Sequence, residues 1–420
     1  MTLRQRLAPF RNRALVLLAV IGPGIITANV DNDAGGITTY SVAGAHFGLS
    51  LMWMLPLVAV LLIIVQEMSA RLGVVTGKGL GDLIRESMGV RATALILGIL
   101  LIANLANTVS EFAGVAASME LFGISKYVSV PIAAIVVWLL IVKGSYKLVE
   151  RVFLIASALY LSYVASGLLA NPSLPVVLTS FVTPSFHFNA DYVTIFVTII
   201  GTTIAPWMQF YQQSAIVDKG LKIKDFVYER IDVIVGSVFA VFVAGFIVIA
   251  CAATIFQNGL RIENAADAAV ALGPLAGQYA EILFAFGLLN ASVFSAAILP
   301  LSTAYVVCEA FGWESGVSRD WTDAPAFFTI YTALIVLGGA IILLPIRSLI
   351  EAMLASQTLN GVLLPVILIV MLRLINDKRL MGAYVNGRVL NLITLVSVGV
   401  LILLTLILVI TSVFPGLLGT

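Results

Sequence analysis

Charge is what this chain of 420 residues has least of: Asp, Glu, Lys and Arg make up 11% of it, against about 25% in soluble domains. So little charge excludes a solvated globular surface, and the net charge of +1 singles out no partner; nucleic acid is not expected as one. Cysteine is scarce too. Cys251 and Cys308 both lie in or beside apolar runs, which excludes a disulfide framework and gives no sign of redox chemistry. Only His46 and His187 carry imidazoles, and two isolated rings do not make a metal cluster. No nucleotide loop or nucleophile triad stands in a credible context. Neither an enzyme nor a resident cofactor is expected.

What fills the chain is apolar sequence. Hydrophobic residues make up 60% of it, and windows of the roughly 20 residues that cross a bilayer recur along nearly its whole length. An all-α integral membrane protein follows, one transport domain over residues 1–420, with the lipid bilayer as its surroundings. The opening "MTLRQRLAPFRNR" is basic, but no small-residue cleavage site follows it, so it reads as a cytoplasmic leader rather than a signal peptide.

Eleven transmembrane helices are expected. The basic residues test that count, because cytoplasmic connections are rich in Lys and Arg. With the N-terminus cytoplasmic and the C-terminus extracellular, all 23 Lys and Arg residues but Lys126, Arg261 and Arg347 fall on the inner side. The third span is expected over 93–122 and the ninth over 325–345, with a polar inner connection between spans two and three.

Two spans are interrupted. The first carries "NVDNDAGGITT", Asn29 to Thr39, and the sixth carries "GTTIAPWMQFYQQ", Gly201 to Gln213. Glycine costs a helix about 1 kcal/mol relative to alanine, and Pro206 deletes a donor and clashes with the preceding turn. Both spans should unwind locally, and unpaired backbone at membrane depth is tolerated only inside protein or along a watery cavity. Spans one and six hold equivalent places if spans 1–5 (about 14–170) and 6–10 (about 193–374) are inverted repeats, with span 11 (about 389–415) appended. Such transporters place substrate between two broken helices. A carboxylate in a span costs about 2.5 to 3.5 kcal/mol on insertion scales and is a functional candidate. One of the pair, Asp31 in particular, could instead cap the second half-helix.

At these motifs the chain resembles the Nramp family of divalent-metal transporters. "GPG" at Gly22 to Gly24, Asp33 to Gly36 and "AGAHFG" at Ala43 to Gly48 match the family's first span. "ARLGVVTGKGLGDLIRE" from Ala70, "SEFAG" from Ser110, "YVVCEAFG" from Tyr305, "SQTLNGVLLP" from Ser356 and "LMGAYVN" from Leu380 follow in order. The resemblance implies a leucine-transporter-like fold and sets Asp33 at the metal-binding aspartate of the family's Asp-Pro-Gly-Asn motif. Its proline is Ala34 here and its asparagine Gly36. The sixth-span Met-Pro-His looks like Ala205, Pro206 and Trp207, with the register inside Met208 to Gln213 open by one position.

Thioether ligands favour softer metals, while carboxylate, carbonyl and water suit magnesium, calcium and manganese. Loss of the methionine at Ala205 therefore moves the site toward hard ions. Small side chains at Gly35, Gly36 and Ala205 predict a wider cavity for a partly hydrated ion. The expected metal-site residues are Asp33, Gly36, Thr202, Ala205, Gln357 and Asn360, with Asn29, Asn32 and Gln209 as weaker candidates. Gln357 matches a family glutamine that approaches the metal, although amides in membrane bundles also serve as interhelical hydrogen bonds.

The resemblance thus points to the magnesium-transporting branch, carrying Mg2+ and also Mn2+ across the plasma membrane as a monomer. Family members that import transition metals move protons through ionisable groups in the third, sixth and ninth spans. Here those positions hold Thr108 and Gln213, and the ninth span has no titratable Asp, Glu, Lys, Arg or His. Weak or absent proton coupling is expected, with Glu111 as a residual proton site or an interhelical hydrogen-bonding group. The alternatives are a proton-coupled Mn2+ symporter and a sodium-coupled symporter of organic solutes on the same fold.

Overall fold

Leucine, valine, isoleucine and alanine dominate this chain, and where no water competes for the backbone they leave it only helices to form. The computed structural model describes residues 27, 30–143, 157–187 and 189–413. The basic leader, the apolar run 14–26, Asn29, the inner segment with Lys147 and Arg151, and the end after 413 lie outside the described residues. Every regular element among the described residues is a helix.

The main helices are α1 (Ala34–Phe47), α2 (Met54–Thr76), α3 (Leu80–Glu120), α4 (Lys126–Val142), α5 (Leu161–Leu169) and α6 (Ala190–Thr203). They continue with α7 (Pro206–Asp218), α8 (Phe226–Thr254), α9 (Ala280–Phe311), α10 (Pro325–Leu343), α11 (Leu349–Ile375) and α12 (Arg388–Val413). Local chemistry sets their ends. Gly77, at φ 65°, closes α2 in the left-handed conformation that glycine adopts without strain. Asn189 opens α6 by accepting from the Tyr192 amide at 2.7 Å, and Ser348 opens α11 by accepting from Glu351 N at 3.2 Å.

The polar connection expected before the third span is helical. α3 begins at Leu80 and passes a break at Gly89, φ 76° and ψ 175°. Its charges hid it in the sequence: Arg85 and Glu86 are exposed on one side while Leu80, Leu83 and Ile84 are buried on the other. That is an amphipathic helix, not a loop.

Eleven spans were expected, and each expected segment holds a helix. By length and apolar character, however, eight helical stretches among the described residues can cross a membrane, or nine if α5 and the helix Leu174–Ser180, bent by 120°, form one. The shortfall lies in the 14-residue α1, whose preceding half lies largely outside the described residues, and the 17-residue α4.

The packing places the two interrupted spans at the centre. α1 lies against α8, α11 and α6; α11 also packs on α3 and α6; α9 lies along α3; and α7 rests on α2. α12 flanks α11 at the rim, with only 17% of its apolar window buried. Most of its surface is exposed.

Candidate cation site

The N-terminus of α1 is made by Asp33. Its backbone is extended, and its Oδ1 accepts a 2.6 Å hydrogen bond from Gly36 N, satisfying one of the free amides of the first turn. The capping carboxylate is thus Asp33 and not Asp31, because the helix starts at Ala34, beyond Asp31's reach as its N-cap. Asp31 ends the preceding helical turn, is 2% exposed, and neither of its carboxylate oxygens has a hydrogen-bond partner. The neighbouring Asn32 amide is buried and equally unpartnered.

The glycines of the break do not leave a void. A Cβ on Gly35 would sit 1.9 Å from Gln357 Nε2, and one on Gly36 would sit 2.4 Å from the Asp31 carbonyl oxygen. The wider cavity expected from these small residues is absent at both positions: Gln357 fills the first gap and the Asp31 backbone the second.

The second break separates α6 from α7. Ile204 leaves the helix, Ala205 is extended at φ −64° and ψ 139°, and Pro206 takes the first position of α7, where its missing donor costs nothing. Thr203 Oγ1 donates to Ile199 O at 2.7 Å and therefore accepts from Tyr40 OH, also at 2.7 Å. Thr202 Oγ1 is buried without a partner. The Ala205 carbonyl accepts from Met208 N at 3.1 Å and, with the Gln209 amide turned to satisfy its NH2, from that side chain at 2.9 Å. Trp207 is buried beside the break, its carbonyl accepting from Ser302 Oγ at 3.1 Å.

Two further helices complete the surroundings. From α3, Glu111 Oε2 accepts from Ala34 N at 3.4 Å while Oε1 has no partner, and the carboxyl neighbours that of Asp33. The Tyr160 hydroxyl, near the same pair, is buried and unpartnered. From α11, Gln357 Oε1 accepts from Asn360 Nδ2 at 2.9 Å, leaving Gln357 Nε2 as a free donor toward Gly35. Asn360 and Asn107 exchange two hydrogen bonds, 3.1 and 2.8 Å. The Asn360 amide is thereby fully engaged across the bundle, an arrangement whose partner, Asn107, sequence reasoning did not single out; the signal available was a second amide buried in an apolar span.

All of this is sealed from solvent, with Asp33 at 4%, Thr202 at 3% and Gln357 at 1% exposure. Among the described residues no group of three or more His, Cys, Asp or Glu side chains gathers to hold a metal. The polar groups at the breaks are carboxylate, hydroxyl, carbonyl and amide, and Met353 Sδ accepts from Thr38 Oγ1 of α1 at 3.4 Å.

Away from the breaks, Glu67 and Arg71 form the expected i, i+4 ion pair at 3.0 Å. Arg71 also donates to Tyr384 O at 3.0 Å and to Asn386 Oδ1, tying α2 to the segment before α12. The connection before α6 holds the helix Leu174–Ser180 and is seated on the α1–α2 turn by Ser185 Oγ donating to Ser50 O at 3.2 Å and by Phe186 packed on Trp53. Both cysteines are buried and free.

Residues 24–411 match the profile of the Nramp family, described as natural resistance-associated macrophage protein-like. A divalent metal cation transporter MntH from Bacillus subtilis is 27% identical over 387 residues, 89% of this chain and 87% of that one. Another from Aeromonas hydrophila is 28% identical over 384 residues, 88% of this chain and 90% of that one. Among solved structures, the manganese transporter of Eremococcus coleocola superposes with a TM-score of 0.75 over 95% of this chain and 88% of that one, at 22% identity. MhsT in complex with L-phenylalanine superposes with a TM-score of 0.58 at 13% identity. The fold is the leucine-transporter-like one expected.

Proposed function

The chain belongs to the Nramp family, whose members are transporters and not enzymes, and on that premise we propose that it imports a divalent metal cation, Mg2+ ahead of Mn2+, by alternating access around Asp33. The observation that carries this reading is a buried carboxylate between two helix breaks, with Ala205 rather than a sulfur-bearing side chain at the second. Asp33 is the ligand, Gly36, Thr202, Ala205 and Gln357 surround the ion through backbone, hydroxyl and amide groups, and Asn360 acts through its hydrogen bond to Gln357. Magnesium is usually held by one or two carboxylates with several waters retained. Gln357 Nε2 is a free donor that can hold a carboxylate in place but does not itself ligate a cation.

Entry proceeds down the electrochemical gradient. Two charges gain about 4.6 kcal/mol per 100 mV of interior-negative potential, enough to drive uptake alone. α10, Pro325–Leu343, offers no Asp, Glu, Lys, Arg or His to relay protons, which supports weak or absent coupling. The observation that favours proton-coupled Mn2+ symport instead is the contact of Glu111 with Asp33. In this reading the protein works as a monomer in the plasma membrane, N-terminus inside and C-terminus outside, its first ten spans forming two inverted repeats.

Liposomes carrying a magnesium-sensitive dye and, separately, a pH dye test both parts. Voltage-driven Mg2+ entry, reduced by competing Mn2+ and without internal acidification, is the expected result. Transport of organic solute without metal would overturn the first part; metal-dependent acidification that survives voltage clamping would overturn the second.

A further inference from the structure

Asp31 is unexplained by the site as described so far. It lies two residues before Asp33, on the other side of the break, where Val30 and Asp31 are the last helical residues before α1. It is 2% exposed, makes no ion pair among the described residues, and neither of its side-chain oxygens receives a hydrogen bond. A buried carboxylate without a partner is costly; the chain bears that cost where a ligand completes the group. By contrast, Asp33 has committed Oδ1 to the Gly36 amide, which leaves it fewer free lone pairs than Asp31.

The local backbone supports the position of Asp31. Its carbonyl oxygen occupies the space a Cβ on Gly36 would need, at 2.4 Å, so the absence of a side chain at Gly36 is what lets the chain turn here. The end of a helical turn carries partial negative charge and favours a cation. Unpartnered buried groups also lie on neighbouring elements: the Asn32 amide next in the chain, Gln357 Nε2 against Gly35 and, on α6, Thr202 Oγ1. The hydroxyl and the Asn32 carbonyl oxygen are acceptors that a cation or its waters can use, while the NH2 groups donate to a carboxylate.

We propose that Asp31 is a second cation-ligating carboxylate of this site, so that the divalent ion is held between carboxylates donated from the two sides of the first break. This rests on the reading of the break as a cation site and adds to it a second acidic ligand beside Asp33 and its neighbour Glu111. It assigns Gly36 a different part from a vacant ligand position, that of the residue that makes room for the Asp31 backbone.

The test uses the full chain in lipid nanodiscs, with Mg2+ and Mn2+ titrated by calorimetry and thermal unfolding measured with and without Mg2+. In Asp31→Asn, Kd for both ions is expected to rise roughly tenfold or more, while the metal-free Tm stays at or above that of the wild type because an unpartnered charge has been removed. A folded Asp31→Asn protein with unchanged Kd would overturn the proposal; so would a lowered metal-free Tm with unchanged Kd, which marks a structural role. Asp31→Ser serves the same comparison if the asparagine variant does not fold. Independently of both, infrared difference spectra of Asp33→Asn should still show a carboxylate band moving on addition of concentrated Mg2+, and a spectrum without one also counts against Asp31. If the wild type binds neither ion, the transport reading itself fails, which is a distinguishable result.

Discussion

Gln357 and Gly35 interlock: the amide of the α11 side chain lies where a methyl group on Gly35 would stand, 1.9 Å from its Nε2. The same residue's carbonyl lies 2.1 Å from a Cβ built on Gly201, so α1 meets the Gln357 side chain and α6 its backbone.

Gly35→Ala is therefore expected to displace the Gln357 side chain rather than to unfold the protein, since the obstacle is a flexible amide. Mg2+ uptake into liposomes should fall severalfold with stability changed by no more than about 1 kcal/mol. Gly201→Ala meets backbone instead, Gln357 O and Gly361 N at 2.3 Å, and should destabilise by about 3 kcal/mol, at the upper end for overpacking. Thermal unfolding of the two variants side by side checks the contrast.

Asp33 both caps α1 and offers its charge, and the two roles separate chemically. Asparagine caps about as well as aspartate, so Asp33→Asn should keep its Tm and lose Mg2+ transport. Asp33→Ala should lose transport and about 1 kcal/mol of stability besides. Asp33→Asn with normal uptake would remove Asp33 from the site.

Asn107→Ala leaves the buried Asn360 amide without its two partners on α3. An unsatisfied buried polar group costs about 1 to 3 kcal/mol. Because Asn360 donates to Gln357 Oε1, the apparent affinity for Mg2+ should change as well; Asn107→Asp tests whether an acceptor alone restores it.

Arg71→Met strands Glu67, 7% exposed, with Arg230 at 3.9 Å as its remaining ion partner. The expected loss is about 3 kcal/mol, as for other buried pairs broken on one side. Replacing Glu67 by Gln in the same chain should recover most of it, and a double-mutant cycle on Tm measures how much.

The two breaks were legible because Gly, Pro and Asp are conspicuous in apolar sequence, and Thr202 could be named from the second; Asp33 and Gln357 were named through the register of the family resemblance. The cap could not be assigned, since Asp31 and Asp33 differ by two residues and the first helical residue, Ala34, has no side-chain signal. The partner of Asn360 lies 253 positions away, beyond any local pattern. The filling of Gly35 by Gln357 is equally non-local: a glycine announces that space is needed, not whether ion, water or side chain takes it. The helical start of α3 was missed because its charges were counted and their spacing was not.

The hydrogen bond from Tyr40 to Thr203 joins α1 to α6 beside the breaks, and the edge contact of Phe47 with Tyr192, ring centres 5.5 Å apart, joins them again farther along. Two short helices pinned at two points cannot slide or hinge independently. They form one lever, so a push on the segment before Tyr192 is expected to reach the Asp33 carboxylate, and loosening either pin should uncouple that end of α6 from the breaks.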